Sequence, residues 1–282
     1  MNGRQRGIAL ISVLLVMSLA LLITSGLLRS HRLSLQSSGQ ALQQIHLRQL
    51  GVAGETWALL RLQDAALDAQ KTVDLTQAWA TPRDYDIEDT QVRVAIEDLS
   101  GRFNLNSLLI PGQIDQITLN RWSRLLDVLD LPPLQLRQVG ALRELSQLRL
   151  LPGVDGQWLR QLEPWVALLP SNATLNINTA PALVLRTLDG VEATTAGALA
   201  RQALTTGWAS VQAFTQDPLI SGVGLNSHGL GTRSRWFRIT VEVTQGQSRL
   251  RLATDVERDP DTHRFNILQR RLLPSKAHEM PR

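Results

Sequence analysis

The feature that most constrains the fold of this chain is one long apolar run near its N-terminus. Residues 8–28 contain no charged side chain and no proline. As an α-helix this run would be about 31 Å long, which matches the hydrocarbon thickness of a bilayer. It is also longer than the roughly 7 to 15 apolar residues of a cleaved signal peptide. The run therefore predicts a single membrane-spanning helix.

Basic residues before the run predict its orientation. Arg4, Arg6 and the terminal amine precede the first apolar residue. Positive charges beside a membrane span stay on the cytoplasmic side. We therefore expect the N-terminus in the cytoplasm and the rest of the chain on the far side of the membrane.

Composition predicts that the rest of the chain is globular, and its residue motifs indicate no catalytic centre. Hydrophobic residues make up 43% of the chain and charged residues 19%, which is typical of a folded domain. There is no cysteine, so disulfides, thiolate nucleophiles and cysteine-bound metals are excluded. The five histidines show neither metal-ligand spacing nor a nearby serine nucleophile motif: His31, His46, His228, His263 and His278. We expect no enzyme, no cofactor and no metal site.

Periodicity predicts that the helix continues beyond the membrane. Apolar residues recur at three- to four-residue intervals over residues 29–68, and no proline occurs before Pro82. This is the pattern of an amphipathic helix. A further short helix is predicted over residues 73–80.

Alternating apolar and polar residues predict an antiparallel sheet of about four strands. The predicted strands are residues 91–98, 235–244, 248–257 and 264–270. Between the first two, short periodic segments predict helices over residues 119–129, 136–148, 156–169, 182–188, 194–205 and 210–215. We therefore expect an α+β fold, with a large all-helical insertion between the first strand and the rest of the sheet.

The strongest local pattern in the insertion resembles a helix-hairpin-helix unit, a module that binds DNA phosphates through a glycine turn. Residues 175–180 and a helix lead to Asp189-Gly190-Val191, and Glu192 stands where a second glycine would approach a phosphate. A second such turn carries Asp155 at that place. These acids disfavour nucleic acid as a partner. We expect helix caps at two places in the insertion. Asn178 or Thr179 would cap the helix that contains Pro181, and Asn106 would act similarly.

Five ordered landmarks resemble the minor pseudopilins of the K class, known as general secretion pathway protein K, of type II secretion systems. The similarity runs from Arg4 to about Arg271. The landmarks are the basic leader ending at Gly7, residues 73–80, residues 98–106 (DLSGRFNLN), residues 144–145 with 150–155, and residues 176–180 (NINTA). The resemblance implies a pilin-like fold in which the long N-terminal helix lies on the sheet and the helical block is an insertion.

That resemblance also implies how the chain is processed and where it acts. A prepilin peptidase would cut after Gly7 and methylate the new terminus at Ile8. The mature inner-membrane protein would hold its C-terminal domain in the periplasm. There it would join other minor pseudopilins, the pseudopilus and the inner-membrane secretion platform.

The expected domain boundaries follow from the residue patterns and from the family resemblance. The domains are a leader (1–7), a transmembrane part (8–28), a periplasmic helix with the first strand (29–98), the insertion (99–230), the remaining strands (231–273) and a polar tail (274–282). The alternative function is a membrane-anchored periplasmic DNA-binding protein that uses its hairpin units.

Two departures from the family pattern carry further expectations. Ser12 stands at the fifth mature position, where most pilin-like subunits have a glutamate that pairs with a neighbour's terminal amine; its absence predicts a place at the pseudopilus tip. Residues 131–143 contain no carboxylate, so the family's calcium loop is expected to be missing, because calcium requires oxygen ligands. Any other calcium site would use the acids Asp84, Asp86, Glu88 and Asp89.

Overall fold

The computed structural model describes residues 3–66, 72–109, 115–134, 136 and 140–274. The chain divides into two compact units, Met1–Leu50 and Gly51–Arg282. Helix α1, Gly3–Ala66, confirms the long N-terminal helix. In the first unit two hydroxyls of the apolar run donate to backbone carbonyls of their own helix, Thr24 Oγ1 to Ala20 at 2.8 Å and Ser25 Oγ to Leu22 at 2.9 Å.

The remaining elements alternate short helices and strands. The α-helices are α2 (Gln116–Val128), α3 (Gly156–Leu162), α4 (Ala182–Leu185), α5 (Ala193–Ala203) and α6 (Val211–Thr215). The strands are β1 (Arg83–Ile87), β2 (Thr90–Asp98), β3 (Phe103–Asn104), β4 (Val166–Ala167), β5 (Leu175–Asn176), β6 (Leu230–Gly231), β7 (Trp236–Gln245), β8 (Ser248–Arg258) and β9 (Phe265–Leu273). Short 3₁₀ helices cover Leu99–Gly101, Leu105–Leu108, Leu145–Leu150 and Glu163–Trp165.

The main sheet is antiparallel and has the order β1-β2-β7-β8-β9. Strand β2 shows the predicted alternation, with Val92, Val94 and Ile96 buried on one face. That face packs against α1 at Gly51 and Gly54. The contact is close at Gly54, where an added Cβ would lie only 2.8 Å from Val241 Cγ1. Glycine therefore lets the helix backbone approach the sheet.

The opposite face of this sheet carries charges of alternating sign. One cross-strand row places Asp84, Arg93, Glu242 and Arg251 side by side on β1, β2, β7 and β8. A second row places Glu97, Arg238 and Asp255 on β2, β7 and β8. Opposite charges directly across a pair of strands stabilise it by about 0.2–1 kcal/mol, so these rows favour the observed register.

The insertion folds as two lobes, each with its own apolar core. The first lobe, residues 103–169, packs around Phe103, Trp122, Leu125, Leu148 and Leu162. The second lobe, residues 175–231, packs around Ile177, Leu185, Leu199, Phe214 and Ile220. Each lobe also contains a two-stranded parallel sheet, β3 with β4 and β5 with β6. The insertion is therefore largely helical but not entirely so.

Several predicted elements differ from the structure. Residues 73–80 form turns, not a helix, because the carboxylate of Asp74 accepts hydrogen bonds from Thr76 N and Thr76 Oγ1. Residues 136–148 contain only the start of the 3₁₀ helix Leu145–Leu150 in their described part. The predicted helix 156–169 ends at Leu162. The 3₁₀ helix Glu163–Trp165 follows it, and residues 166–167 form β4. Strand β1 was not predicted, because all five of its residues are exposed and show no alternation.

Candidate functional site

The first candidate surface is the apolar part of α1. Within the described residues, Val13–Asp64 is the one helical stretch that is long and apolar enough to cross a membrane. Its large apolar side chains are exposed: Val13, Leu14, Leu15, Val16, Met17, Leu19, Leu21, Leu22, Ile23, Leu27 and Leu28. A continuous exposed apolar surface of this kind marks a membrane or a protein interface. The finding fits single-pass anchoring.

Three residues with predicted roles lie at the start of this helix. Gly7, Ile8 and Ser12 all fall within α1. Their side chains lie outside the part of the chain that the structure describes. The processing roles of Gly7 and Ile8 and the tip role of Ser12 therefore stay predictions.

Exposed apolar residues continue along α1 after the apolar run. In the first unit they are Leu35, Leu42 and Ile45, and in the second unit Val52 and Leu60. Polar residues stand between them along the sequence. Such a helix presents side chains that other helices could pack against.

The asparagines of the insertion hold loops and do not cap the predicted helices. Asn178 Nδ2 donates to the carbonyl of Trp208 at 3.0 Å, and its Oδ1 accepts from Trp208 N at 2.8 Å. Helix α4 begins after Pro181 without a side-chain cap, so the predicted capping role of Asn178 or Thr179 is wrong. The side-chain amide of asparagine offers the same donor and acceptor as a peptide unit, so Asn178 satisfies both backbone groups of Trp208.

Asn106 holds the first lobe in the same way. Its Nδ2 donates to the carbonyl of Leu142 at 3.1 Å, and its Oδ1 accepts from Leu142 N at 2.8 Å. Its predicted capping role is also wrong, since Asn104 accepts from Asn106 N at the start of Leu105–Leu108. The two lobes thus share an Asn-x-Asn segment, residues 104–106 and 176–178. Both segments are visible in the sequence, but their partners Leu142 and Trp208 lie about 30 residues or more further along the chain.

Asp98 joins the second lobe to the sheet. This buried carboxylate, 4% exposed, accepts hydrogen bonds from Ser100 N, Asn176 Nδ2, Thr179 Oγ1 and Ser234 Oγ. Burial raises the pKa of Asp98, although these four donors act in the opposite direction. The site is satisfied within the chain, so Asp98 is a structural residue, not a candidate acid or base.

The hairpin turns of the insertion are unsuited to hold a phosphate. In the second lobe Gly190 has a φ of +70°, as a tight turn requires, but an added Cβ would lie 2.1 Å from Val223 Cγ1. The loop containing Val223 therefore covers the turn. In the first lobe the carboxylate of Asp155 accepts from Trp158 N at 2.7 Å, at the start of α3. An acid at one turn and a covered glycine at the other both oppose DNA binding.

The acidic residues proposed for another calcium site lie on the exposed hairpin formed by β1 and β2. Asp84 faces Arg93, with an Nη1–Oδ1 distance of 3.7 Å. Glu88 occupies the turn with a φ of +53°. Among the described residues, no three His, Asp or Glu side chains form a group that could hold a metal ion.

These features define a class of protein. The chain combines a long N-terminal helix whose apolar half fits a membrane anchor, an antiparallel sheet behind the second part of that helix, and an inserted two-lobed domain. Together these define a pilin-like protein. Residues 175–233 match the family model described as "Type II secretion system (T2SS), protein K". The matched segment contains the second lobe with its Asn-x-Asn segment.

Relatives match along almost the whole chain. Type II secretion system protein K of Pseudomonas aeruginosa is 30% identical over 93% of this chain and 91% of its own length. The protein of the same name from Klebsiella pneumoniae is 28% identical over 96% of this chain and 97% of its own length. The chain belongs to the type II secretion system protein K family.

A solved structure supports the fold. It is the crystal structure of the GspK-GspI-GspJ complex from the type 2 secretion system of enterotoxigenic Escherichia coli. One chain of that complex superposes on this protein with a TM-score of 0.69 and 22% identity. The similarity covers 85% of this chain and 99% of that chain.

Proposed function

We propose that this protein is a minor pseudopilin, a non-enzymatic subunit that initiates or caps the pseudopilus tip of a type II secretion system for protein export across the outer membrane. The observation that carries the proposal is that protein K relatives match this chain over more than nine tenths of both lengths. The exposed apolar half of α1 supports it, because a subunit that anchors in a membrane needs such a surface.

The proposed location is the inner membrane, with the N-terminus cytoplasmic and the second unit in the periplasm. Arg4 and Arg6 support this orientation through the positive-inside rule. Alkaline phosphatase fused after Pro274 should be active, because that enzyme matures only outside the cytoplasm. An inactive fusion at normal abundance would contradict the orientation.

Processing by a prepilin peptidase is the second part of the proposal. A small residue, Gly7, precedes the apolar run, so the peptidase can reach the backbone there, and the mature chain should begin with methylated Ile8. Gly7→Glu should block cleavage. Gln5→Glu is the matched control, since it adds the same charge two residues upstream. N-terminal mass analysis decides: Met1 on the mature wild-type chain, in cells with an active peptidase, would contradict the proposal.

The third part is a place at the tip beside other minor pseudopilins. A carboxylate in lipid is costly unless it is paired, so a subunit with no neighbour above it gains by having Ser12. The two-lobed insertion, residues 99–230, adds bulk that would obstruct another globular domain above. The Escherichia coli complex, which contains GspK with GspI and GspJ, supports partners of this kind.

Cross-linking tests the tip assignment. Because the chain has no cysteine, single cysteines at the exposed positions Leu42 and Ile45 report contacts without background. We expect them to trap other minor pseudopilins more than the major subunit, at low abundance per filament. Regular recovery of this protein along the filament shaft would refute the assignment.

A further inference from the structure

Two exposed arginines of the first lobe lie together over one glycine. A Cβ added to Gly156, at the start of α3, would lie 3.4 Å from Arg160 Nη1 and 3.7 Å from Arg149 Nη2. Arg149 lies in the last turn of the 3₁₀ helix Leu145–Leu150, and Arg160 lies in the last turn of α3. Because glycine has no side chain, both guanidinium groups fit over the backbone at this point. Two cations are therefore held close to each other.

Neither of these arginines has a carboxylate partner. Within the part of the chain that the structure describes, the side chains of Arg149 and Arg160 form no ion pair and no hydrogen bond. The neighbouring acid, Asp155, uses its carboxylate to accept from Trp158 N at 2.7 Å. Like charges at short distance repel each other. An anion that approaches both guanidinium groups would therefore be attracted by both and would relieve this repulsion.

An apolar side chain accompanies the two arginines. Leu150 follows Arg149 directly and is 86% exposed, more than any other large apolar side chain in the described residues. A single exposed leucine is ordinary on a protein surface. Arginine together with apolar side chains, however, is typical of the central part of a protein interface. We call Arg149, Leu150 and Arg160 the arginine patch.

The chemistry of the arginine patch favours a carboxylate of another protein. A guanidinium group binds a carboxylate through two parallel N–H···O hydrogen bonds, and Leu150 can contact an apolar residue beside it. A DNA phosphate in the hairpin mode would instead use backbone N–H groups at the start of a helix. Here the carboxylate of Asp155 already accepts from one of them. A protein carboxylate needs only the two guanidinium groups.

We propose that the arginine patch is a docking surface for another protein, whose contacting segment carries a carboxylate beside an apolar side chain. The carboxylate lies between the guanidinium groups of Arg149 and Arg160, and the apolar side chain packs on Leu150. This inference goes beyond the proposed function and does not depend on it. The protein K relatives and the exposed apolar half of α1 support that function whether or not the insertion binds a partner.

Peptide binding to the full chain in detergent tests the proposal. The probe is a labelled, capped peptide of alternating aspartate and leucine, and the control probe has asparagine in place of every aspartate. Fluorescence anisotropy measures both. We expect saturable binding of the acidic peptide and at least about tenfold weaker binding of the asparagine peptide, because charged hydrogen bonds are lost. Equal binding of the two peptides, or no binding of the acidic one, would overturn the proposal.

Arginine variants locate the binding. Arg149→Gln combined with Arg160→Gln should weaken binding of the acidic peptide at least about tenfold. The matched control, Arg186→Gln combined with Arg201→Gln, removes the same two charges from exposed positions of the second lobe. There Arg201 lies over Gly197 with no second arginine within 4 Å of the added Cβ. The control should change binding less than about twofold. Equal weakening by both double variants would show attraction by net charge alone and overturn the proposal.

A third variant and two further probes complete the test. Leu150→Ser leaves both arginines in place and should weaken binding of the acidic peptide about threefold, because apolar contact is lost. Unchanged binding would contradict the proposed apolar contact. A short DNA duplex and phosphatidylglycerol vesicles are measured in parallel. If either binds more tightly than the peptide and is lost with the Arg149 and Arg160 variants, the patch recognises phosphate and the proposal is overturned.

Discussion

Glu55 of α1 and Arg270 of β9 form a bidentate ion pair. Arg270 Nη2 lies 2.7 Å from Oε1 and Nε lies 2.9 Å from Oε2 of Glu55. The carboxylate is 1% exposed and also accepts from Thr254 Oγ1, whereas the arginine side chain is 50% exposed. The pair connects α1 to the last strand, and Arg270 compensates the charge of the buried Glu55 carboxylate.

The first prediction concerns the stability that this pair provides. Glu55→Gln should lower the free energy of unfolding by about 2 kcal/mol, because it replaces charged hydrogen bonds with neutral ones inside the protein. Urea unfolding of the full chain in detergent measures the change. Arg249→Ala is the control, since this exposed arginine forms no ion pair in the described part of the chain. Equal stability of Glu55→Gln and wild type would show that the pair contributes nothing.

The second prediction is the pH dependence of the same site. Burial alone would raise the pKa of Glu55, but hydrogen bonds from Arg270 and Thr254 and the charge of Arg270 lower it below the ordinary value of 4.5. Its contribution to stability is therefore fully present above about pH 4.5 and is lost as the pH falls through the lower pKa of the folded state. The difference between wild type and Glu55→Gln should shrink in that range. A difference that is constant from pH 7 to pH 3 would contradict the prediction.

The third prediction concerns the asparagines. Asn178→Ala should destabilise the protein by about 3 kcal/mol, because the buried backbone N–H and C=O of Trp208 both lose their partner. Asn178→Asp keeps the acceptor, but it places a fully buried carboxylate against the carbonyl of Trp208 and should cost at least as much. Asn120→Ala is the control, since Asn120 is exposed and, within the described part of the chain, its side chain accepts from Gln116 alone. Thermal unfolding gives the melting temperatures of the three variants. The prediction fails if Asn178→Ala melts at the same temperature as Asn120→Ala.

The fourth prediction tests the close approach of helix and sheet. In Gly54→Ala the new methyl group would lie 2.8 Å from Val241 Cγ1 and 3.2 Å from Val94 Cγ2. We expect a loss of about 1–3 kcal/mol from overpacking. Gly39→Ala has no atom within 4 Å of the new Cβ and should gain up to about 1 kcal/mol from helix propensity. Denaturant unfolding of both variants should therefore show changes of opposite sign.

Hydrophobic periodicity predicted the elements of this fold that bury one face. Strands β2, β7 and β8 follow from alternation, because one face of each is buried by α1 or its neighbours. Strand β1 has no buried face, so its pairing with β2 leaves no periodic trace. The turns at residues 73–80 resemble a helix in apolar spacing, but the side chain of Asp74 binds nearby donors instead.

The asparagine contacts could not be predicted for a different reason. Asn106 binds Leu142, and Asn178 binds Trp208, across loops whose path the sequence does not encode locally. Asparagine is typical of positions where a side chain binds nearby backbone groups. Both helix capping and loop closure use such hydrogen bonds, so the residue type does not distinguish them. The covered turn at Gly190 was hidden in the same way, since Val223 lies in a separate loop. The acidic side chain of Glu192 nevertheless predicted that this turn is unsuited to bind a DNA phosphate.

The point where the insertion joins the sheet has a mechanical consequence. The chain leaves the sheet after Asp98, which is paired with Phe237 of β7, and Ser234 donates to Asp98 just before β7 begins. A pulling force carried by the sheet therefore passes directly from β2 to β7 through their ladder of hydrogen bonds. The two lobes lie outside this load path. Residues within them can change in number or conformation while the sheet and the helix behind it continue to transmit tension.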